Sequence, residues 1–492
     1  MRRLRTLATF TTLALAAGCQ VGPDYVKPSA DVPEAYKEAA PVAPVDAGVW
    51  NPAQPADQAG RGKWWAAFND PTLNALEDQV TVSNQSLKIA EARFRQARAL
   101  IGVNRAAEFP SLSVVPGIAS IRESRNKPYV SSTHTTGDFI LPLDASYEVD
   151  LWGRIGRSVT AAGDEAQASA ADLATVDLSL HAELAIDYFD LRSADSQKQI
   201  LDDSVKAYAD ALQLTVNRAN GGAAPESDVA QAKTQLDTTR VQATDIAVQR
   251  TQFEHAIAVL IGRTPASFSL PPAPLTLHQP AIPAGLPSEL LQRRPDVASA
   301  ERRVAEANEQ IGIARAAYYP SLVLGSVVGF EGHAASDWFN WPSLLWSVGL
   351  TMSETLFDGG RRDALTDSAR AAYNANVANY RQTTLDAFQQ VEDDLAALRI
   401  LQQEAQQQDE AVASAENSLQ LFTNRYVGGR DTYLQVITAQ TIALGNQRNQ
   451  TEILRRRMEA SVLLIKALGG GWNADALPSL KDLEKTADAA QP

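Results

Sequence analysis

The segment EARFRQARALIGVNRAAEFPSL, Glu91 to Leu112, recurs without a gap as ERRVAEANEQIGIARAAYYPSL, Glu301 to Leu322. About half of the positions are identical, among them Ile101/Ile311, Gly102/Gly312, Arg105/Arg315 and Pro110-Ser111-Leu112/Pro320-Ser321-Leu322. Downstream, Leu151-Trp152-Gly153-Arg154 answers Leu356-Phe357-Asp358-Gly359-Gly360-Arg361, and Asn217-Arg218-Ala219-Asn220-Gly221-Gly222 answers Asn424-Arg425-Tyr426-Val427-Gly428-Gly429. Self-similarity at a fixed period marks a repeat architecture. Two copies, 64–270 and 287–472, are expected to make up the ordered chain, joined by a Pro-rich linker at 271–286 and followed by a tail at 473–492.

Each copy has the same plan: a helix ending at Pro110 or Pro320, two β-like segments, and a long helical hairpin. Strands are expected at about 111–121, 139–149, 321–331 and 344–353. In Leu141 to Val149, Leu141, Leu143, Ala145, Tyr147 and Val149 share one face, and Asp144, Ser146 and Glu148 the other. In Leu344 to Met352, Leu344, Trp346, Val348, Leu350 and Met352 oppose Ser347, Gly349 and Thr351. An apolar face backed by a small or polar one, over about ten residues, fits a membrane-barrel strand. The alternative is the edge of a soluble sandwich. Pro116 predicts a bulge or an early end, and Trp338, Trp341 and Trp346 suit an interfacial girdle.

Helices are expected over about 155–219, 226–262, 360–427 and 432–468. Apolar residues recur by threes and fours at Leu201, Val205, Tyr208, Leu212 and Val216. At about 1.5 Å per residue the longer helices reach roughly 100 Å. The fold class is therefore mainly α with a small β part: long coiled-coil hairpins plus four membrane strands per chain. Four strands cannot close a barrel, for which about eight is the lower bound. Open edges are too costly in lipid, so three copies are expected to pool about twelve strands around one tube.

The net charge is −14, so nucleic acid is not an expected partner. Residues 1–18 read as an export signal, with Arg2, Arg3 and Arg5 before a short apolar run that ends Ala16-Ala17-Gly18-Cys19. Cys19 is the only cysteine, which leaves it free for acylation, the one covalent group expected; no cofactor is. Residues 19–63, rich in Pro, Ala and Asp, read as a tether without a core of its own, order beginning at Trp64-Trp65. Asp70-Pro71 is expected to open the first helix.

These motifs resemble the TolC-like outer-membrane efflux proteins, lipoprotein branch. Cys19-Gln20-Val21-Gly22-Pro23-Asp24-Tyr25 looks like their mature start, Asp150-Leu151-Trp152-Gly153-Arg154 and Leu356-Phe357-Asp358-Gly359-Gly360 their strand-to-helix junctions, and Ala467-Leu468-Gly469-Gly470-Gly471-Trp472 the end of their last helix. The resemblance implies a homotrimer, with a β-barrel in the outer membrane and an α-barrel in the periplasm. The duct is opened by a periplasmic adaptor and an inner-membrane RND-type pump, and it exports drugs or other small toxic solutes without catalysis. It also implies an adaptor-contacting role for the hairpin tips: Gly221, Gly222, Glu226 and Asp228 in one, Gly428, Gly429, Arg430 and Asp431 in the other. Ser227, Asp228, Asp431 or Thr432 can cap the helices that follow. A periplasmic gate is carried over to Tyr426 and Leu434, with Thr438 where relatives often have aspartate. Leu434 could equally be a packing residue.

The histidines His134, His181, His255, His278 and His333 lie at no metal-binding spacing and read as structural or solvated. Gly469-Gly470-Gly471 lacks the Lys-Ser/Thr of a phosphate loop. The competing readings are a metal-efflux or type I secretion duct of the same design, a periplasmic coiled-coil spacer, and a periplasmic enzyme.

Overall fold

The computed structural model describes residues 20–38, 62–126, 128, 134–276, 280, 282 and 287–483. Asp70 caps α1 (Pro71–Ser83), its carboxylate accepting from the backbone N–H of Thr72 and Leu73. After α2 (Gln85–Arg105) the chain enters β1 (Ser111–Val114), β2 (Gly117–Ile121) and β3 (Thr136–Glu148). The first hairpin is α3 (Arg154–Asn220) and α4 (Glu226–Leu260). Next come α5 (Pro287–Arg293), α6 (Pro295–Ala316), β4 (Ser321–Gly332) and β5 (Leu344–Ser353), then the second hairpin, α7 (Arg361–Val427) and α8 (Tyr433–Ala467). Both long helices have 67 residues and both return helices 35.

Each long helix runs beside two shorter ones set end to end. The start of α2 meets the end of α4, where the Asn84 amide donates to the Leu260 carbonyl at 2.7 Å. The start of α6 likewise meets the end of α8, where Arg294 donates to the Ala467 carbonyl at 3.1 Å. Alanines let these helices approach: Ala166, Ala168 and Ala171 of α3 are fully buried, in the half that α6 packs against. The largest core joins Trp64, Trp65, Phe68 and Leu73 to Leu184, Phe189, Ile257 and Met458.

The sheet is antiparallel, with β1 and β2 on one edge, then β3, β4 and, on the other edge, β5. The segment expected as one strand over 111–121 is broken at Val115-Pro116, but neither a bulge nor an early end results. Val114 pairs with Leu143 and Gly117 with Ile140, so the register is unchanged across the gap. The gap lies opposite Pro142, a proline in a central strand. Val115 thus stands opposite Pro142 and Pro116 opposite Leu141, so the interruption falls where each strand carries a proline that cannot donate to the ladder. The third strand begins earlier than expected, at Thr136.

Residues 20–38 are not a free tether, which corrects the reading of 19–63. They lie extended on α6 and α7. The Val21 N–H donates to the Trp152 carbonyl at 3.1 Å, and Asn308 donates to the Pro23 carbonyl at 3.1 Å. The Tyr25 hydroxyl donates to Glu301, and Tyr36 is buried with Val304, Tyr380 and Val391. The Glu392 carboxylate accepts from the backbone N–H of Lys37 and Glu38 at 2.8 and 2.9 Å. At the other end of the chain Leu483 packs on Ile101 and Ala166.

Candidate functional site

Two features can serve a function: the faces of the sheet and the tips of the hairpins. Registered pairs put Leu143, Val328 and Trp346 side by side, and likewise Tyr147, Leu324 and Leu350. On this apolar face Trp346, Val348, Leu350 and Met352 are 72, 68, 63 and 70% exposed. A stripe of this kind marks a surface made for a membrane or a partner. Trp338 stacks on Phe339 at 5.0 Å beyond the loop end of β4, with Trp341 exposed nearby. The opposite face carries Ser113, Asp144, Ser146, Gly325, Ser347 and Gly349. Among the described residues no helix is long and apolar enough to cross a membrane.

The two tips share one geometry. Gly221 and Gly222 donate to the Asn217 and Ala219 carbonyls, as Gly428 and Gly429 do to those of Asn424 and Tyr426. Gly222 and Gly429 take φ of 76° and 68°, the left-handed stop that glycine adopts at no steric cost. The expected side-chain caps are absent: Pro225 and Thr432 occupy the N-cap positions, with no side-chain cap bond. Glu226 and Asp228 instead sit in the first turn of α4, where its dipole favours negative charge. Asp431 pairs with Arg425 at 2.6 Å, and Arg430 is exposed.

The structure separates the three gate candidates. Leu434 is 54% exposed and so is not a packing residue within this chain. Thr438, one turn on, is also exposed, its hydroxyl donating to the Leu434 carbonyl. Tyr426 is 3% exposed and lines no surface. Its ring lies 5.2 Å from that of Tyr433 and under the Arg218 guanidinium at 4.6 Å. Arg218 is the residue that sequence reasoning left without a role. From the first tip its Nη1 donates to the Val427 carbonyl of the second at 2.9 Å, so one side chain ties the hairpins together. The recurrence of Asn-Arg at Asn217-Arg218 and Asn424-Arg425 was the available signal.

Of the described histidines only His181 is buried. It stacks on Trp65 at 4.2 Å, and its Nδ1 lies 2.6 Å from Glu77. Burial pushes Glu77 up to about 7, only partly offset by His181. Burial lowers His181, but bonds to Asp177 and Glu77 outweigh it and hold it at about 9. This clamp fixes Trp65 and α1 to α3. His134, His255 and His333 are exposed, and His278 and Cys19 lie outside the described residues. No group of three or more metal-ligating side chains occurs among the described residues.

A sheet with a lipid-suited face, continued by hairpins of roughly 100 Å, defines a class: membrane-anchored ducts whose helices reach far from the bilayer. The chain belongs to the outer membrane efflux protein family, whose model matches residues 76–263 and 286–470. It is 30% identical over 460 residues to the probable efflux pump outer membrane protein SepC of Pseudomonas putida, covering 93% of this chain and 95% of that one. It is 32% identical to the pyoverdine export outer membrane protein OpmQ of Pseudomonas aeruginosa, covering 88% and 94%. Among solved structures, the outer-membrane channel OprN superposes with a TM-score of 0.85 at 29% identity, over 92% of this chain and all of that one. The protein is an efflux channel of the Gram-negative outer membrane and not an enzyme.

Proposed function

We propose that three copies join edge to edge, β5 of one beside β1 and β2 of the next, into a twelve-stranded barrel continued by a helical tube. The observation that carries this reading is the sheet: an apolar face fit for lipid, with both edges unpaired in the single chain. Unpaired edges cost several kcal/mol per polar group in hydrocarbon. The two halves, with matching helix lengths and tips, act as repeats that give the tube its six-fold pseudo-symmetry. Both tips of each copy form the periplasmic mouth, which meets an adaptor and an inner-membrane pump. The duct passes drugs or other small toxic solutes; relatives are named for toluene efflux and for pyoverdine export. Cys19 carries a lipid. Gln20, the residue that follows it, packs on Gly153 at the sheet-to-helix junction.

Leu434 narrows the mouth, Thr438 lies one turn further in, and Arg218 holds the tips closed through Tyr426 and Val427. Arg218→Ala removes a cation–π contact worth about 0.5–2 kcal/mol and the bond to Val427. Both Arg218→Ala and Leu434→Ser are expected to raise single-channel conductance severalfold in planar bilayers. Conductance unchanged in both variants would remove the tips from gating.

Cys19→Ser is expected to abolish labelling with a radioactive fatty acid and leave the protein in the detergent-extracted membrane fraction, because the barrel is the main anchor. A Cys19→Ser protein that is soluble without detergent would show that the lipid carries the attachment.

A further inference from the structure

Within the strands Asp138, Asp144, Glu148 and Glu331 are the carboxylates, and no strand contains Lys, Arg or His. The register puts all four acids on one face. Asp138, Asp144 and Glu148 alternate along β3 with the apolar residues, and Glu331 of β4 pairs with Ile140 of the same set. The opposite face holds Trp346, Val348 and Leu350. Arg154 neutralises Glu148 at 2.7 Å. Asp138, Asp144 and Glu331 form no ion pair among the described residues. Asp144 is half-buried, between Ser113 and Val327 on the neighbouring strands and between Pro142 and Ser146 along its own face.

The stretch that follows the second tip is the opposite case. From Tyr433 to Gln447, the first four turns of α8, there is no ionisable side chain except the buried tyrosine. Thr438 is exposed in this stretch, its hydroxyl donating to the Leu434 carbonyl.

We infer that the charge filter of this duct lies in its outer-membrane barrel, with Asp144 and Glu331 as its main determinants and Asp138 supporting them, and that the constriction at Leu434 and Thr438 selects little by charge. The inference rests on the duct reading above, which turns the acidic face inward. A wall with low-dielectric lipid behind it focuses the field of uncompensated carboxylates into the lumen. Cations are concentrated there and anions depleted, within about 8 Å of the wall at physiological salt. The solutes favoured at the last step of export are organic cations and uncharged amphiphiles, and organic anions are retarded.

The test is the reversal potential of the full-length protein in planar bilayers under a KCl gradient, for wild type, Asp144→Asn/Glu331→Gln, and the same pair with Asp138→Asn. Neutral isosteres on the lumen face leave the wall intact. Wild type is expected to prefer K⁺ over Cl⁻ severalfold, and the triple variant to lose most of that preference while still conducting. The preference is also expected to weaken from about 0.1 M to about 1 M salt, as the screening length falls from about 10 to about 3 Å. A wild-type preference that survives the triple substitution, or one that is absent or anionic, overturns the inference and leaves the duct reading standing. No conductance in any variant, including Arg218→Ala, overturns the duct reading and the inference with it.

Discussion

Replacing Arg157 with alanine is expected to destabilise the folded chain by about 3–5 kcal/mol, the cost of leaving one partner of a buried pair charged and alone. Arg157 is 2% exposed and donates to Glu309 at 2.6 Å, joining α3 to α6 across the two halves. The pair fits because Gly312 leaves room for it: a Cβ there would come within 2.3 Å of the Arg157 Cδ. Gly22 of the extended N-terminal segment crosses at the same point, 3.2 Å from the guanidinium carbon by the same construction. Loss of Arg157 therefore weakens three packed elements at once. The change is read as a lowered unfolding midpoint in detergent, together with easier proteolysis near residues 20–38. Adding Glu309→Gln is expected to recover much of the loss, because the remaining group is then neutral. A midpoint unchanged by Arg157→Ala would show that the pair contributes nothing net.

The neighbours Val348 and Ser347 in β5 are expected to answer arginine in opposite ways. Val348 lies mid-strand on the apolar face, paired with Ser326, and Ser347 points to the other face, paired with Val327. An arginine on the lipid face near the bilayer middle costs about 2–4 kcal/mol per copy. Val348→Arg is therefore expected to abolish most of the assembled protein in outer membranes. Ser347→Arg is expected to assemble normally and to shift ion preference toward anions. Immunoblots of membrane fractions read the first effect and reversal potentials the second. Equal yields for the two variants would contradict the assignment of faces.

What was legible in the sequence was periodic and local. Alternation of Leu141 to Val149 and of Leu344 to Met352 fixes which face is apolar, since a strand repeats every second residue. The long helices follow from their spacing of apolar residues and the near absence of proline. The N-terminal segment was misread because its order comes from partners hundreds of positions away, such as Glu392 and Asn308. No local pattern announces an extended strap. Pro116 was misread for a related reason. A break in the ladder depends on what lies across it, and Pro142, diagonal to Pro116 on the neighbouring strand, is visible there only once the register is known. Tyr426 could be aligned to a gate, but alignment does not say which way a ring points, and here it points inward under Arg218. Turn glycines were legible, whereas capping was not, because Pro225 and Thr432 end the turns without side-chain help.

The measurement that tests the central claim most directly is the mass of the intact protein extracted from outer membranes in mild detergent, with bound detergent subtracted. Closure of the two open sheet edges by copies of the same chain predicts three times the mature chain mass and resistance to washing with salt or carbonate. A monomer that leaves the membrane without detergent would contradict it, because a sheet of this width cannot then be a barrel wall.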